Sequence, residues 1–281
     1  MNRSPFAAQP LLASRLILQL ASPFARSLGI ELLEWGGGRA VTRMKASSRT
    51  ARSTNDPRPH PYALVGIVDD AFSQALASVL PGDVGMSTLD LRIAFAAAHP
   101  VEGDVTTEIH AMMLDPHAGE AEVLVQDADG RIIASGSALF NMGGFPGGDS
   151  TPSFDRVGQF DPTPLAGPFT HMAGLEEEEG GIALREGNEA LIGWESGAKL
   201  HGGAIGALLM AACEQRVAMD GDNGKRLASL AIRYMRPGEQ QRLHATARFE
   251  RRGRGTSFVD AVAFHEAGRP VATAHATFVR S

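Results

Sequence analysis

Two stretches of the chain, residues 63–80 and 204–219, are apolar on nearly every side. Each is too long for a strand and lacks a polar stripe, so each predicts a helix buried over most of its surface. Around them the period is two. "IELLEW" and "RAVTRMKA", separated by three glycines, predict a hairpin ahead of the first helix. A short helix over 23–28 precedes that hairpin. Three or four alternating segments follow each long helix. The last of them run over 132–140, after the turn residues Asp129-Gly130, and over 271–279, after Gly268. The pattern is α+β: one buried helix, then antiparallel strands, twice over.

The two halves also match in residues. "SPFARSLGIELLEWGGGRAVTRM" (22–44) resembles "GPFTHMAGLEEEEGGIALREG" (167–187). "HPYALVGIVDDAF" (60–72) lines up with "HGGAIGALLMAAC" (201–213), and "LRIAFAAAHP" (91–100) with "LAIRYMRP" (230–237). "DADGRIIASGSALF" (127–140) lines up with "HEAGRPVATAHATF" (265–278). Four matches in the same order imply a duplication. Between the copies, 141–167 is rich in Gly, Pro, Asp and Ser and reads as a connector.

Composition narrows the function. With 43% hydrophobic and 21% charged residues, the 281-residue chain can bury a core. The net charge of -6 and the lack of a basic run give no electrostatic support to a nucleic-acid partner. Cys213 is the single cysteine, which excludes a disulfide framework and fits a reducing, cytoplasmic setting. No segment reaches the roughly 20 apolar residues that span a bilayer. Arg15 interrupts the apolar run near the N-terminus, so 11–20 reads as an amphipathic helix rather than a signal peptide.

Candidate chemistry lies where the second long helix begins, in "KLHGGAIGALLM" (199–210). A helix N-terminus presents unpaired N–H groups and partial positive charge. Glycines there let a ligand approach without meeting a Cβ. Gly202 and Gly203 could thus stabilise an oxyanion, or simply allow tight packing of helix on sheet. The repeat context favours the first. His201 is read as orienting the loop by hydrogen bonding. The first copy, "RPHPYALVGIVDD" (58–70), keeps the histidine but has Pro61 and Tyr62 in place of the glycines. Proline has no N–H to donate.

"HGGAIGALL", followed by "IRYMRP" and "GRPVATAHATF", resembles the hotdog-fold acyl-CoA thioesterases, in particular the phenylacetate-degradation-type group. The resemblance runs over roughly 22–140 and 167–279. It implies a tandem double hotdog: two antiparallel sheets, each wrapping a central helix, paired about a pseudo-twofold axis. The chain then divides into an N-terminal helical extension (1–21), a first repeat (22–145), a linker (146–166) and a second repeat (167–281). The implied activity is hydrolysis of an acyl-CoA to free acid and CoA.

Members of that family carry a carboxylate nine residues after the histidine. Here that is Asp69 in the first copy and Met210 in the second. The losses are complementary. One composite site keeps Asp69 from the first repeat and Gly202 and Gly203 from the second, and the reciprocal site loses both parts. Asp69 would act as general base toward water or as nucleophile. Ser73, four residues on, shares its helix face and is a candidate to position water. Asp70 should point about 100° away. Glu214, the counterpart of Ser73, reads as a peripheral salt bridge. Where relatives place an amide six residues before the histidine, this chain has Glu195. Arg251, Arg252 and Arg254, in "FERRGRGTSF", are candidates for the phosphates of CoA.

CoA would enter as part of the substrate, with no resident cofactor and no metal. No His-Glu-x-x-His, cysteine pair, Walker or Rossmann loop, or Gly-x-Ser-x-Gly elbow occurs. The intramolecular hotdog pair already supplies the usual dimer, and further homo-oligomers remain open. Two other readings also remain open. One is a non-catalytic acyl-CoA-binding hotdog protein. The other is a hotdog enoyl-CoA hydratase or dehydratase using His60 with Glu214.

Overall fold

A computed structural model describes residues 22–79, 86–96, 101–142, 167–194, 199–221, 224–266 and 268–281. The expected N-terminal extension and linker lie outside these residues.

The first half begins with helix α1 (Pro23–Leu28), which Gly29 ends in the left-handed conformation at φ 64. A hairpin follows, β1 (Ile30–Gly36) and β2 (Arg39–Met44), then a short pair, β3 (Ala51–Ser53) and β4 (Asp56–Pro59). The long helix α2 spans Pro61–Ala77. Four strands complete the half: β5 (Met86–Phe95), β6 (Val105–Leu114), β7 (Ala118–Gln126) and β8 (Ile132–Met142).

The second half repeats this plan. It contains α3 (Phe169–Met172), β9 (Leu175–Glu178), β10 (Gly181–Leu184), β11 (Ile192–Trp194), β12 (Lys199–Leu200) and α4 (Gly202–Met219). Strands β13 (Lys225–Tyr234), β14 (Leu243–Arg252), β15 (Thr256–Phe264) and β16 (Pro270–Arg280) close it. Gly174 lies at φ 64, as Gly29 does, so the residue match between the copies is also a match of backbone.

All the long strands belong to one antiparallel sheet of 12, in the order β1-β2-β6-β7-β8-β5-β13-β16-β15-β14-β10-β9. Read from its two ends, the order is the same in each repeat. The architecture is the expected double hotdog. The two expected sheets, however, are fused edge to edge where β5 pairs with β13, Ile93 opposite Leu230 and Leu91 opposite Ile232. That pairing satisfies backbone groups that two separate edges would leave open.

The central helices pack on each other inside the sheet. α2 buries thirteen of its residues, Tyr62 to Phe72 and then Ala75 and Leu76, which is why it shows no polar stripe. Small residues set the approach of α2 to α4. A Cβ at Gly203 would lie 2.6 Å from the Gly66 Cα, and one at Gly206 would lie 2.6 Å from Val65 Cγ1. This brings the start of α4 against the middle of α2.

Candidate active site

His201 is the N-cap of α4, in extended backbone at φ -64 and ψ 139. Its Nδ1 accepts the backbone N–H of Gly203 at 2.9 Å, which fixes the ring against Phe24. Two carboxylates of α2 reach the same ring. Asp69 Oδ2 lies 3.2 Å from Nδ1, and Asp70 Oδ1 lies 3.6 Å from Nε2. Both aspartates are buried, and Asp70 Oδ2 has no hydrogen-bond partner among the described residues.

The other Asp69 oxygen, Oδ1, accepts from Thr88 Oγ1 at 3.0 Å, across from β5. Tyr234, on β13, donates its hydroxyl to the Gly202 carbonyl at 2.9 Å and pins the start of α4. A Cβ at Gly202 would lie 2.6 Å from Asp69 Oδ2. The two glycines therefore have separate duties. Gly203 allows helix to meet helix rather than helix to meet sheet, and Gly202 leaves room for a carboxylate. The Gly203 N–H is engaged by His201 and also favours the charged Asp69. The Gly202 N–H has no partner among the described residues, so it is the donor left for an incoming carbonyl oxygen.

Burial pushes the Asp69 carboxyl up. The charge of His201, the Thr88 hydroxyl and the Gly203 N–H oppose that push. For His201, burial works against the charged ring, but the Asp70 hydrogen bond and the two aspartate charges outweigh it and hold the imidazole above its ordinary value. Proton position and helix capping are thus linked. Neutral at Nδ1, the ring accepts from Gly203; protonated there, it donates toward Asp69 instead.

The structure brings together Asp69, His201, Gly202 and Gly203 from the two repeats. It does not turn Asp70 away. The imidazole sits between the adjacent aspartates and offers each a different nitrogen. Ser73 points its hydroxyl back to the Asp70 carbonyl at 2.7 Å, not toward Asp69. Among the described residues Glu214 makes no salt bridge; its carboxylate accepts from the Tyr62 hydroxyl at 2.8 Å. His60 has no bond to Glu214 and caps α2 through Nδ1. Glu195 lies outside the described residues. Arg251 and Arg252 end β14, with Arg254 in the turn after it. Arg252 donates to the Asp220 carbonyl and stacks on Phe249. Asp220 ends α4, so Arg252 is a full helix length, ~27 Å, from Gly202.

Two residues of the site, Thr88 and Tyr234, carry no mark in the sequence pattern. Tyr234 stands inside the motif "IRYMRP", where its aromatic character reads as core. Thr88 is hidden by a register shift between Thr88 and Asp90 in the pairing of β5 with β8. Counting by twos outward from buried Ile93 and Leu91 assigns Thr88 to the outer face, and the bulge reverses that.

A family model described as the acyl-CoA thioesterase N-terminal domain matches residues 192–279, and one for the C-terminal domain of the same enzymes matches 11–137. The chain is a thioester hydrolase of the hotdog fold. Its repeats match the two domain models in reversed order. The twofold pairing makes that exchange compatible with one architecture, because either repeat can take either place. No curated protein matches the sequence.

Among solved structures, the tesB protein of Mycobacterium avium subs. paratuberculosis superposes with a TM-score of 0.62 at 13% identity, over 92% of this chain and 100% of that one. A putative thioesterase from Novosphingobium aromaticivorans gives 0.60 at 15% identity, over 89% and 98%. A 12:0-ACP thioesterase from Umbellularia californica gives 0.57 at 12%, over 87% and 95%. At these identities the likeness is one of fold. No helix among the described residues is long and apolar enough to cross a membrane.

Proposed function

We propose that this hydrolase cleaves acyl-CoA thioesters at one composite site, with the carboxylate from the first repeat and the oxyanion-binding helix start from the second. The observation that carries the reading is the contact of Asp69 Oδ2 with His201 Nδ1 at 3.2 Å, beside the unpartnered Gly202 N–H. The thioester carbonyl oxygen would lie on that N–H, at the positive end of α4. Asp69 would take a proton from the attacking water and pass it to His201 Nδ1, whose Nε2 faces Asp70. Direct attack by Asp69 on the carbonyl carbon is the variant of the same chemistry. In either case the C–S bond breaks, water supplies the acid's oxygen and the thiolate leaves with a proton. Thr88 would hold Asp69 in its ionised form.

In this reading CoA is the leaving half of the substrate, and water is the only other reactant. The narrower kinship with the phenylacetate-degradation-type group rests on the "HGGAIGALL" motif. A cytoplasmic setting goes with the single buried, unpaired Cys213. The proposal does not use Arg251, Arg252 or Arg254, given the distance of Arg252 from Gly202.

The test is thiol release from short, medium, long and aromatic acyl-CoAs by the wild type and by Asp69→Asn. Release that falls at least a hundredfold in the folded variant supports the composite site. Equal release by both proteins would remove Asp69 from the chemistry, and no release from any acyl-CoA would remove the substrate class.

A further inference from the structure

The internal twofold that builds the Asp69 site also defines a reciprocal position, and the structure holds a cavity of about 450 Å³ there. That is within the range of small-molecule pockets. Matching α2 to α4 and β5 to β13 identifies its walls. Met210 stands for Asp69, Pro61 for Gly202, Leu227 for Thr88 and Phe95 for Tyr234, and all four line the cavity. Even the backbone irregularity recurs, with a register shift between Leu227 and Ser229 as between Thr88 and Asp90. The hydrolytic groups have been replaced by apolar ones, but the space has not been filled.

The polar groups that remain are of another kind. Glu214 lines the cavity, and its carboxylate accepts from Tyr62. Burial pushes the Glu214 carboxyl up, against the Tyr62 hydrogen bond and the Arg52 charge. Arg52, Arg131, Lys225 and Arg226 also contribute to the lining. Three of these are engaged. Lys225 donates to the Gly253 carbonyl and Ser257 Oγ, Arg226 to the carbonyls of Phe95 and Leu227, and Arg131 pairs with Asp129. Arg52 differs. Its guanidinium lines the cavity and makes no hydrogen bond or ion pair among the described residues, though its charge acts on Glu214 and Asp56. A guanidinium at a cavity wall without a protein acceptor offers its planar fork to an incoming carboxylate.

We propose that this cavity is a second, non-hydrolytic binding site that takes an aliphatic carboxylate, with the alkyl chain against Met210, Leu227 and Phe95 and the carboxylate on Arg52. Hydrolysis there lacks its parts. Pro61 has no N–H, and the Tyr62 N–H is taken by His60 Nδ1 at 3.2 Å. Glu214 is held by Tyr62 and is no free base. The proposal does not rest on the Asp69 reading. If that reading holds, the ligand has the chemistry of the reaction's product.

The test is calorimetric titration of decanoate into the full chain and into Arg52→Gln, Ala218→Trp and Asp69→Asn. Ala218 is exposed at the lining, so a tryptophan there closes the cavity without disturbing the core. The expected result is binding by the wild type and Asp69→Asn alike, weakened at least tenfold in both other variants. Thiol release should be unchanged in Ala218→Trp. Three outcomes would overturn the proposal: no binding to the wild type, binding unaffected by both cavity variants, or binding only of a non-hydrolysable decanoyl-CoA thioether and not of decanoate. Loss of the thioesterase reading with decanoate binding intact would leave it standing.

Discussion

His60 and His201 do the same job in the two repeats. Each is an N-cap in extended backbone whose Nδ1 accepts the N–H two residues on, from Tyr62 at 3.2 Å and Gly203 at 2.9 Å. The duplication kept the histidine for capping even where the glycines were lost. Replacing either by alanine should cost about 1 kcal/mol through the cap alone. His201→Ala should cost more, because two buried aspartates lose the imidazole that lies between them. Thermal melts of the two variants side by side test this. Equal losses would mean that the aspartates gain nothing from the ring.

The glycines divide between chemistry and packing, so their alanine variants should fail differently. In Gly202→Ala the new Cβ meets Asp69 Oδ2 at 2.6 Å. Thiol release should drop tenfold or more in a protein that is still folded at the assay temperature. In Gly206→Ala the Cβ meets Val65 Cγ1 at 2.6 Å and Ile232 Cδ1 at 2.9 Å. That should cost about 1–3 kcal/mol of stability by overpacking and leave kcat largely intact. Steady-state kinetics with denaturant melts separates the two, and a Gly202→Ala enzyme of full activity would contradict the site.

Features set by local pattern are legible in the sequence, and features set by shape are not. The buried helices and alternating strands follow from local periodicity, and the duplication made their pairing legible. The pairing of Asp69 with the start of α4 followed from complementary losses. Three features depend on shape that periodicity does not encode. Thr88 faces inward only because of a bulge. Asp70 reaches His201 because a flat ring offers a nitrogen to each neighbour. Tyr62 meets Glu214 across the repeat boundary, 152 residues apart in the chain.

Thr88 favours the ionised form of Asp69 by donating to Oδ1 at 3.0 Å. Thr88→Val removes that hydroxyl with little change in volume. The carboxyl, already raised by burial, should rise further, and the base would then be ionised only at higher pH. The acidic limb of the kcat/KM profile should therefore move upward in pH, with activity recovered at the alkaline end. A parallel loss at every pH would show that Thr88 acts on something other than Asp69 ionisation.

Burial, with the charge of Arg52, depresses His60 to about 4 from an ordinary 6.5. The unfolded chain therefore binds this proton first as pH falls. Stability linked to His60 is fully present above about 6.5 and is lost as pH drops through about 4. A shift of that size is on the order of a few kcal/mol across the window. His60→Asn keeps a good N-cap and removes the titrating group, so its stability should fall less than that of the wild type between pH 7 and 5. Denaturant midpoints at the two pH values give the comparison. The pH 5 midpoint is decisive: if wild type and variant lose the same stability there, the acid sensitivity belongs to other groups.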